Sequence, residues 1–257
     1  MAVLVCPDVH ERLDRLAIIE ERYFPKADSI IMLGDFFDAF GPEDLDRVRQ
    51  MCQWLNKHAN GYRYEDGDLG SKLIPIQFLL GNHCVHYLFP HDGYKCSGYS
   101  VRKQGVIDKY LSYETKQAFR IFTKVGAYTL SHAGFHEATL GYAKREVEKD
   151  ALETAFAGGY DAIFGAGRAR GGSHPVGGPT WLDWNFEFEH IDDFPQIVGH
   201  TNGKDVRVKG PNTTHTQFNQ DGTVEVHEPG TKSYCIDTAL HNIAWLDNDV
   251  VTFERCC

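Results

Sequence analysis

The sequence predicts an α/β protein in which two β-sheets pack together and helices cover their outer faces. Up to about residue 200, short apolar runs alternate with segments of helical periodicity, as in parallel strands joined by crossover helices. Beyond that point the pattern becomes antiparallel, with turn signals at Asp221-Gly222 and Asn248-Asp249. Strand–helix units followed by hairpins are typical of two packed sheets with helices outside.

The apolar runs and the periodic segments place the individual elements. Predicted strands cover residues 2–5, 29–33, 73–80, 127–130, 196–198, 234–237 and 243–246, with the last two in the second sheet. Predicted helices cover residues 11–24, a segment opened by Gly41-Pro42, residues 109–123 and residues 137–156. We expect residues 60–70 to be an exposed excursion and residues 93–105 to be a loop.

Length and composition indicate one elaborated globular domain. The chain has 257 residues, of which 42% are hydrophobic and 24% are charged, and a mean hydropathy of −0.39. A net charge of −10 disfavours broad, sequence-independent binding to nucleic acid or to an anionic membrane. Seven scattered cysteines without CxxC spacing are typical of free thiols in a reducing compartment. The N-terminus has no signal-peptide pattern and no run approaches a membrane span, so we expect a cytoplasmic protein.

Polar side chains follow five of the predicted strands at the point where each strand ends. The strands deliver Asp8-Val9-His10, Gly34-Asp35-Phe36-Phe37-Asp38, Gly81-Asn82-His83, Ser131-His132-Ala133-Gly134 and Gly199-His200-Thr201. The carboxyl ends of parallel strands face the crevice where open α/β sheets bind ligands, and Asp8 and His10 lie on one side of an extended segment. Two plainer alternatives are a helix cap or Asx turn at Asp35 and Asp38, and a left-handed turn with a surface histidine at His83.

The side chains at these strand ends match what two transition-metal ions need. Six nitrogen and oxygen donors are available, from Asp8, His10, Asp35, Asn82, His132 and His200. One carboxylate is free to bridge two ions, and the absence of thiolates from the set favours manganese, iron or zinc over a structural zinc. A binuclear site converts water into hydroxide near neutral pH and neutralises the oxygens of a phosphoryl group. The joint order of the motifs carries this interpretation.

A glycine-rich segment at residues 165–181 surrounds two arginines, Arg168 and Arg170. So many glycines suit a backbone that lies close to a ligand, and the two guanidinium groups are candidates for binding phosphate oxygens. The alternative is a plain flexible lid on which the arginines only provide solubility. We expect a lid or cap insertion around residues 141–195 within a single domain that spans residues 1–257.

These motifs resemble those of the calcineurin-like metallophosphoesterases. Five of them occur in the family's order between residues 8 and 202. The resemblance implies a four-layer αββα sandwich of two mixed β-sheets flanked by helices. It also implies a binuclear centre in which Asp35 bridges the two ions. Asp8 and His10 would bind the first ion, and the second would be bound by Asn82, His132 and His200.

The spacing is similar to that of the branch containing serine/threonine phosphoprotein phosphatases and symmetrical diadenosine tetraphosphate hydrolases. There Asp38 would pair with His83, and His83 would protonate the leaving oxygen. The resemblance also implies that a metal-bound hydroxide attacks phosphorus.

The chain departs from the family pattern at three places. Ala39-Phe40 stands where the branch usually has arginine and glycine, so the phosphate clamp must come from elsewhere, and Arg168 and Arg170 are the nearest candidates. Cys84 stands where an acid is usual. Asn202 stands where many relatives outside the branch have a second histidine, so we expect the first ion to be held more weakly.

The resemblance implies a phosphatase with two divalent ions, for which we expect manganese, with iron or zinc as alternatives. Its substrate would be a phosphorylated small molecule, nucleotide or phosphoprotein, since all of these need the same metal centre. Two other functions stay open. One is a phosphodiesterase or dinucleoside polyphosphate hydrolase, and the other is a non-catalytic scaffold that kept the fold. A scaffold would be expected to lose ligands or the acid, whereas every proposed ligand and His83 are present.

Overall fold

A computed structural model describes residues 1–66, 70–89, 95–143, 164–211 and 231–256. The strands are β1 (Val3–Cys6), β2 (Ser29–Met32), β3 (Tyr62–Asp66), β4 (Gly70–Ile74), β5 (Ile76–Phe78), β6 (Phe122–Val125), β7 (Tyr128–Ser131), β8 (Gln196–Val198), β9 (Arg207–Lys209), β10 (Ser233–Cys235), β11 (Asn242–Asp247) and β12 (Val250–Arg255). The α-helices are α1 (Leu13–Arg22), α2 (Leu45–His58), α3 (Asn82–Leu88), α4 (Val101–Tyr110), α5 (Tyr113–Ala118) and α6 (Leu140–Ala143). Short 3₁₀ helices lie at Phe24–Lys26, Glu137–Thr139 and Arg168–Arg170.

Two mixed sheets form the centre of the protein. The first has the strand order β12-β11-β1-β2-β5, in which β1, β2 and β5 are parallel and β11 is antiparallel to both of its neighbours, β1 and β12. The second has the order β6-β7-β8-β10-β9, with a parallel centre and one antiparallel strand at each edge. The β3–β4 hairpin is separate from both.

The strands alternate apolar side chains between two buried faces, and this alternation lets the sheets pack together. In β1, Val3 and Val5 belong to the core between the sheets, whereas Leu4 and Cys6 belong to the core that also contains the apolar residues of α1 and α2. The inter-sheet core also takes in side chains of β7, β8 and β10. The unbroken apolar run of β1 therefore corresponds to a strand that is buried on both faces.

Helices α1 and α2 cover the outer face of the first sheet. Their apolar residues recur at helical spacing, and Leu16 and Val48 are fully buried there. Helix α2 begins three residues after Pro42, because the side chain of Asp44 caps it by accepting the N–H of Arg47 at 3.1 Å. The outer face of the second sheet is covered by a different segment, in which Leu182 and other apolar side chains pack on β8 and β10.

The predicted fold class is confirmed, since two mixed sheets lie between flanking elements that include helices. The prediction that residues 243–246 lie in the second sheet is wrong, because β11 pairs with β1 of the first sheet and sets Leu246 opposite Val3. Residues 234–237 do contribute a strand, β10, to the second sheet. The turn at Asn248-Asp249 joins β11 to β12 as predicted, but turn chemistry does not decide which sheet a hairpin joins.

Pro75 divides the strand predicted at residues 73–80 into two elements. Strand β4 ends at Ile74 and pairs with β3, whereas β5 begins at Ile76 and joins the first sheet. Proline has no N–H to donate to a ladder, although the carbonyl of Pro75 accepts the N–H of Ile30 at 2.9 Å. The excursion predicted before this strand is therefore a two-stranded hairpin.

Two serines set helix starts that the sequence analysis missed. Ser100 begins α4 inside the loop predicted at residues 93–105, and Ser112 begins α5 inside the helix predicted at residues 109–123. Each hydroxyl accepts a backbone N–H of the first helical turn. The predicted single helix is thus two helices followed by β6.

Some predictions fall outside the described residues. The helix predicted at residues 137–156 is described only as a 3₁₀ turn and α6, up to residue 143. The hairpin at Asp221-Gly222 lies wholly outside, and the cap insertion around residues 141–195 lies partly outside. The single domain and its cap therefore stay predictions. Within the described part of the chain, no helix has the length and apolar character to cross a bilayer.

Candidate metal centre

The loops that follow β1, β2, β5, β7 and β8 converge and bring all six predicted metal ligands together. Five of them are buried, namely Asp8, His10, Asp35, Asn82 and His132, and His200 is partly exposed. The ligand atoms form two groups whose members lie within 4.8 Å of one another. These groups are Asp8 with His10 and Asp35, and Asp35 with His132 and His200.

Asp35 belongs to both groups, and its carboxylate lies between them. One oxygen, Oδ2, is 3.6 Å from Nε2 of His10 and 3.4 Å from Nε2 of His132. The side-chain oxygen of Asn82 is 3.0 Å from the same nitrogen of His132, so it extends the second group. This arrangement is compatible with the bridging role that is predicted for Asp35, which stays a prediction.

Backbone carbonyls orient two of the histidines so that Nε2 faces the site. Nδ1 of His10 lies 3.1 Å from the carbonyl oxygens of Phe37 and Asp38, and Nδ1 of His132 lies 3.0 Å from that of Leu33. A ring nitrogen against a carbonyl oxygen must donate its proton, so Nε2 is the nitrogen through which each ring would bind a cation. The protein therefore already holds these imidazoles in the orientation of a metal ligand.

The backbone at the site adopts conformations that L-residues rarely occupy. His10, Asp35, Asp38 and His200 all have positive φ, between 45° and 65°. Each such residue costs of order 1–3 kcal/mol, and such residues cluster where function requires a fixed geometry. His10 thus lies at a turn rather than in the extended segment that the sequence predicts, yet it still reaches Asp8 and Asp35.

Glycines permit the strand ends to approach the two buried carboxylates. A Cβ at Gly81 would lie 2.1 Å from an oxygen of Asp35, and a Cβ at Gly199 would lie 2.1 Å from an oxygen of Asp8. Any other residue at these positions would collide with a proposed ligand. The glycines before Asn82 and His200 are therefore part of the site.

The charges at the site are those of a cation-binding centre. Burial raises the pKa of Asp8 well above its usual range, and the nearby carboxylate of Asp237 adds to this shift. Burial alone would lower the pKa of His132, but Asp35 and Asp8 outweigh that effect and raise it to about 9. A proton on His132 thus compensates buried negative charge that a divalent cation would neutralise.

The residues present fit two divalent ions. Nε2 of His200 is buried and has no hydrogen-bond partner among the described residues, and Nδ1 of the same ring lies 3.2 Å from Nε2 of His132. A buried imidazole nitrogen without a partner, in a group that also contains the Asp35 carboxylate, is suited to binding a metal ion. The oxygen and nitrogen donors suit manganese, iron or zinc.

His83 and Asp38 form a pair beside these groups. Nδ1 of His83 lies 2.9 Å from Oδ2 of Asp38, and the backbone N–H of His83 donates to Oδ1 of Asp35 at 2.9 Å. Burial opposes a charge on His83, but Asp35 and Asp38 outweigh it and raise its pKa above the usual value. His83 lies in the first turn of α3 and is partly buried, so the alternative of a surface histidine in a turn is wrong.

Asp38 also contacts residues that the sequence analysis did not single out. Its carboxylate accepts the hydroxyl of Tyr87 at 2.8 Å and the ammonium of Lys103 at 2.7 Å, and it lies 3.1 Å from Nε2 of His86. Lys103 precedes the buried Ile107 by four residues, so it occupies the apolar face of α4. A lysine on the apolar face of a helix indicates a buried charge that needs a partner, and the sequence alone could have revealed this.

The proposed metal ligands lie at a cleft of about 220 Å³. The cleft is lined by His10, Arg12, Asp35, Phe40, Asn82, His83, Ser97, Arg170, Trp181, His200, Asn202, Asp237 and Ala239. Arg12, Trp181 and Asp237 are contributions that the sequence analysis missed, because no local motif marks them.

The two arginines of the glycine-rich segment occupy different surroundings. Arg170 lines the cleft, where Asp183 holds its Nε at 2.7 Å and Thr201 accepts its Nη2 at 2.8 Å. Arg168 is exposed and does not line the cleft. The segment is anchored by the carboxylate of Glu187, which accepts the N–H of Ala169 at 2.9 Å and other backbone N–H groups.

The chain belongs to the calcineurin-like phosphoesterase family, whose sequence profile matches residues 1–203. This confirms the family that the sequence motifs predict. The matched range contains every proposed metal ligand together with His83 and Asp38. A comparison with curated protein sequences finds no match.

Solved structures share the fold at low sequence identity. A crystal structure of a cold-active protein-tyrosine phosphatase of a psychrophilic Shewanella species is 15% identical, with a TM-score of 0.54 over 100% of this chain and 80% of that one. Another structure of a cold-active protein tyrosine phosphatase is also 15% identical, with a TM-score of 0.57 over 98% and 75% of the two chains. At this level of identity the likeness establishes the fold alone.

Proposed function

We propose that this chain is a binuclear metal-dependent phosphatase in which His83, oriented by Asp38, protonates the leaving group. The observation that carries the proposal is the 2.9 Å contact between Nδ1 of His83 and Oδ2 of Asp38, beside a cleft lined by the ligand residues. Membership of the phosphoesterase family supports phosphoric ester hydrolysis as the reaction.

Two divalent ions would be held by the six proposed ligands, Asp8, His10, Asp35, Asn82, His132 and His200. Manganese is the ion we expect, and iron or zinc would suit the same donors. When bound, such ions supply an activated water as nucleophile and neutralise phosphoryl oxygens.

The protein's own groups would carry out the remaining steps. Because Nδ1 of His83 faces Asp38, its Nε2 is the nitrogen left for the substrate, and it would pass a proton to the leaving oxygen. Arg170 would hold phosphoryl oxygens from the wall of the cleft. Arg168 is exposed and does not line the cleft, so we assign it no role in phosphate binding. The non-catalytic alternative is less well supported, because every proposed ligand and the proposed acid His83 are present in the sequence.

The proposed substrate is a phosphorylated small molecule, nucleotide or phosphoprotein, and the diesterase alternative shares the same centre. We propose no membrane partner and no broad nucleic-acid binding, in line with the net charge of −10. We propose a reducing, cytoplasmic location, because the seven cysteines are scattered along the sequence and no pair has CxxC spacing.

Substitution of His83 by asparagine tests the proposed role in proton donation. A general acid contributes most when the leaving group is poor, since a nitrophenolate leaves with little help from a proton. His83→Asn should therefore keep both metals while kcat falls by roughly 10²–10⁴ on an alkyl phosphate and by much less on a nitrophenyl phosphate. Elemental analysis and steady-state kinetics on both substrates measure this.

Other results would contradict the proposal in distinguishable ways. Loss of metal in His83→Asn would make His83 a ligand. An equal fall in kcat on both substrates with metal retained would indicate phosphate binding rather than proton donation. Wild-type protein that binds metal but turns over no phosphoric ester would favour the scaffold.

A further inference from the structure

Lys103 is a charged side chain that the fold buries far from any sequence motif. It is 5% exposed, and its ammonium lies 2.7 Å from Oδ1 of Asp38 and 4.0 Å from a carboxylate oxygen of Glu11. Burying an ammonium carries a large desolvation penalty, and a buried ion pair is often no more stabilising than apolar packing. The contact therefore calls for a role at Asp38 rather than for a contribution to stability alone.

Lys103 and its neighbours fix how the Asp38 carboxylate is turned. Oδ1 receives two donors, the Lys103 ammonium at 2.7 Å and the Tyr87 hydroxyl at 2.8 Å. Oδ2 faces Nδ1 of His83 at 2.9 Å. With Oδ1 occupied, the carboxylate cannot rotate without breaking two hydrogen bonds, so Oδ2 stays directed at His83.

The backbone that leads into the helix of Lys103 approaches Asp38 closely. A Cβ at Gly98 would lie 2.9 Å from Cγ of Asp38, so only glycine lets the backbone approach this closely. The carbonyl of Gly98 accepts the Lys103 ammonium at 3.3 Å, and the hydroxyl oxygen of Tyr87 lies 3.3 Å from the same carbonyl oxygen. Ser100 then caps α4 and donates its own N–H to the Tyr87 hydroxyl at 3.2 Å, which ties the start of the helix to the same cluster.

Asp38 is held from its backbone as well. Its N–H donates to Oε1 of Glu11 at 2.8 Å, and Asp38 itself has a φ of 65°. Lys103 lies between the Glu11 and Asp38 carboxylates and supplies the positive charge that both need. Without it, two buried carboxylates would face each other next to the proposed acid.

We propose that Lys103 is a positioning residue for proton donation by His83, acting through the orientation of the Asp38 carboxylate. This inference rests on the proposed function of His83. It extends the machinery beyond the family motifs to α4, and it assigns Tyr87 the lesser role of a second donor to Oδ1.

Replacement of Lys103 by methionine removes the charge and keeps the length of the side chain. Lys103→Met should lower kcat on an alkyl phosphate by about 10–100-fold, as is usual when an outer partner of a functional group is lost, with KM and metal content unchanged. The loss should be smaller on a nitrophenyl phosphate. The Lys103→Arg variant keeps the positive charge and should retain most of the wild-type kcat. Lys109→Met, an exposed lysine of the same helix, is the matched control and should behave as wild type.

A double-mutant cycle with His83→Asn separates positioning from other roles. If Lys103 acts through His83, adding Lys103→Met to His83→Asn should cause no further fall in kcat. An additive fall, or a Lys103→Met loss that is equal on both substrates, overturns the inference. If His83→Asn is selective for the alkyl substrate and Lys103→Met is not, Lys103 alone loses its role. If His83→Asn is not selective either, the acid assignment fails and the inference fails with it.

Should Lys103→Met not fold, Tyr87→Phe tests the same orientation and should show a smaller loss with the same substrate selectivity.

Discussion

Asp35 is the residue on which the whole proposed centre depends. Its two oxygens contact different groups. Oδ1 accepts the backbone N–H of His83, and Oδ2 lies between the imidazoles of His10 and His132. Burial opposes its charge, yet the His132 and His83 imidazoles outweigh burial and hold its pKa well below the usual range. The carboxylate is thus kept ionised in a buried place, as a bridging ligand must be.

Substitution of Asp35 by asparagine should abolish phosphatase activity and reduce bound metal to a trace. The amide keeps the size of the side chain but removes the negative charge that both ions share. Elemental analysis and turnover of an aryl phosphate measure the two effects. Asp46→Asn, at an exposed position in α2, is the matched control and should retain full metal and activity. Unchanged turnover in Asp35→Asn would remove the bridging role.

The glycine-rich segment shows how one element can place two like residues differently. Its 3₁₀ turn at Arg168–Arg170 directs Arg170 into the cleft, where Asp183 and Thr201 hold the guanidinium, and leaves Arg168 exposed. A guanidinium held in advance loses little freedom when it binds a phosphoryl group, whereas an exposed arginine is screened by solvent. The two arginines should therefore differ in their effect on catalysis.

Arg170→Ala should lower kcat/KM for an alkyl phosphate by roughly 10–100-fold, which is the value of one or two charge-assisted hydrogen bonds. Inorganic phosphate should also inhibit this variant more weakly. Arg168→Ala is the matched control, and its kcat/KM should stay within a factor of about two. If both variants keep wild-type kcat/KM, the segment only covers the site. Thermal unfolding of Arg170→Ala separates lost binding from a collapsed segment.

At the scale of the whole molecule, the proposed ions join the two sheets. Asp8, Asp35 and Asn82 follow strands of the first sheet, whereas His132 and His200 follow strands of the second. A cation shared by these side chains adds a link that the apolar core between the sheets does not provide. Metal binding should therefore stabilise the folded protein as a unit.

Chelation followed by addition of Mn²⁺ should raise the unfolding temperature. At a free ion concentration of 100 times Kd, one bound ion stabilises the folded state by about 2.7 kcal/mol. For a chain of this size that corresponds to roughly 5–10 °C. Differential scanning calorimetry at several Mn²⁺ concentrations measures the shift, and Asp35→Asn should show little of it. An equal shift in both proteins would mean that the ion binds elsewhere.

The sequence by itself determined the parallel half of the fold and the candidate residues of the proposed metal centre. Apolar runs buried on both faces locate β1 and β2, and each run ends in short motifs whose residue types already limit the chemistry. Local signals were sufficient here because a strand, its terminal glycine and its ligand are neighbours in the chain. Local signals did not place Asp38 beside His83. Only the family resemblance implied that pair.

The tertiary structure decided what depends on residues far apart in the chain. Pairing of β11 with β1 joins residues about 240 positions apart, so no turn signal indicates which sheet the C-terminal hairpin enters. Lys103 reaches Asp38 across 65 positions, and Asp237 and Trp181 enter the cleft from loops without a motif. Arg170 and Arg168 are alike in sequence and differ only in what packs against them. The physical reason is that backbone propensity is local, whereas burial and the pairing of charges are set by which distant surfaces the fold brings into contact.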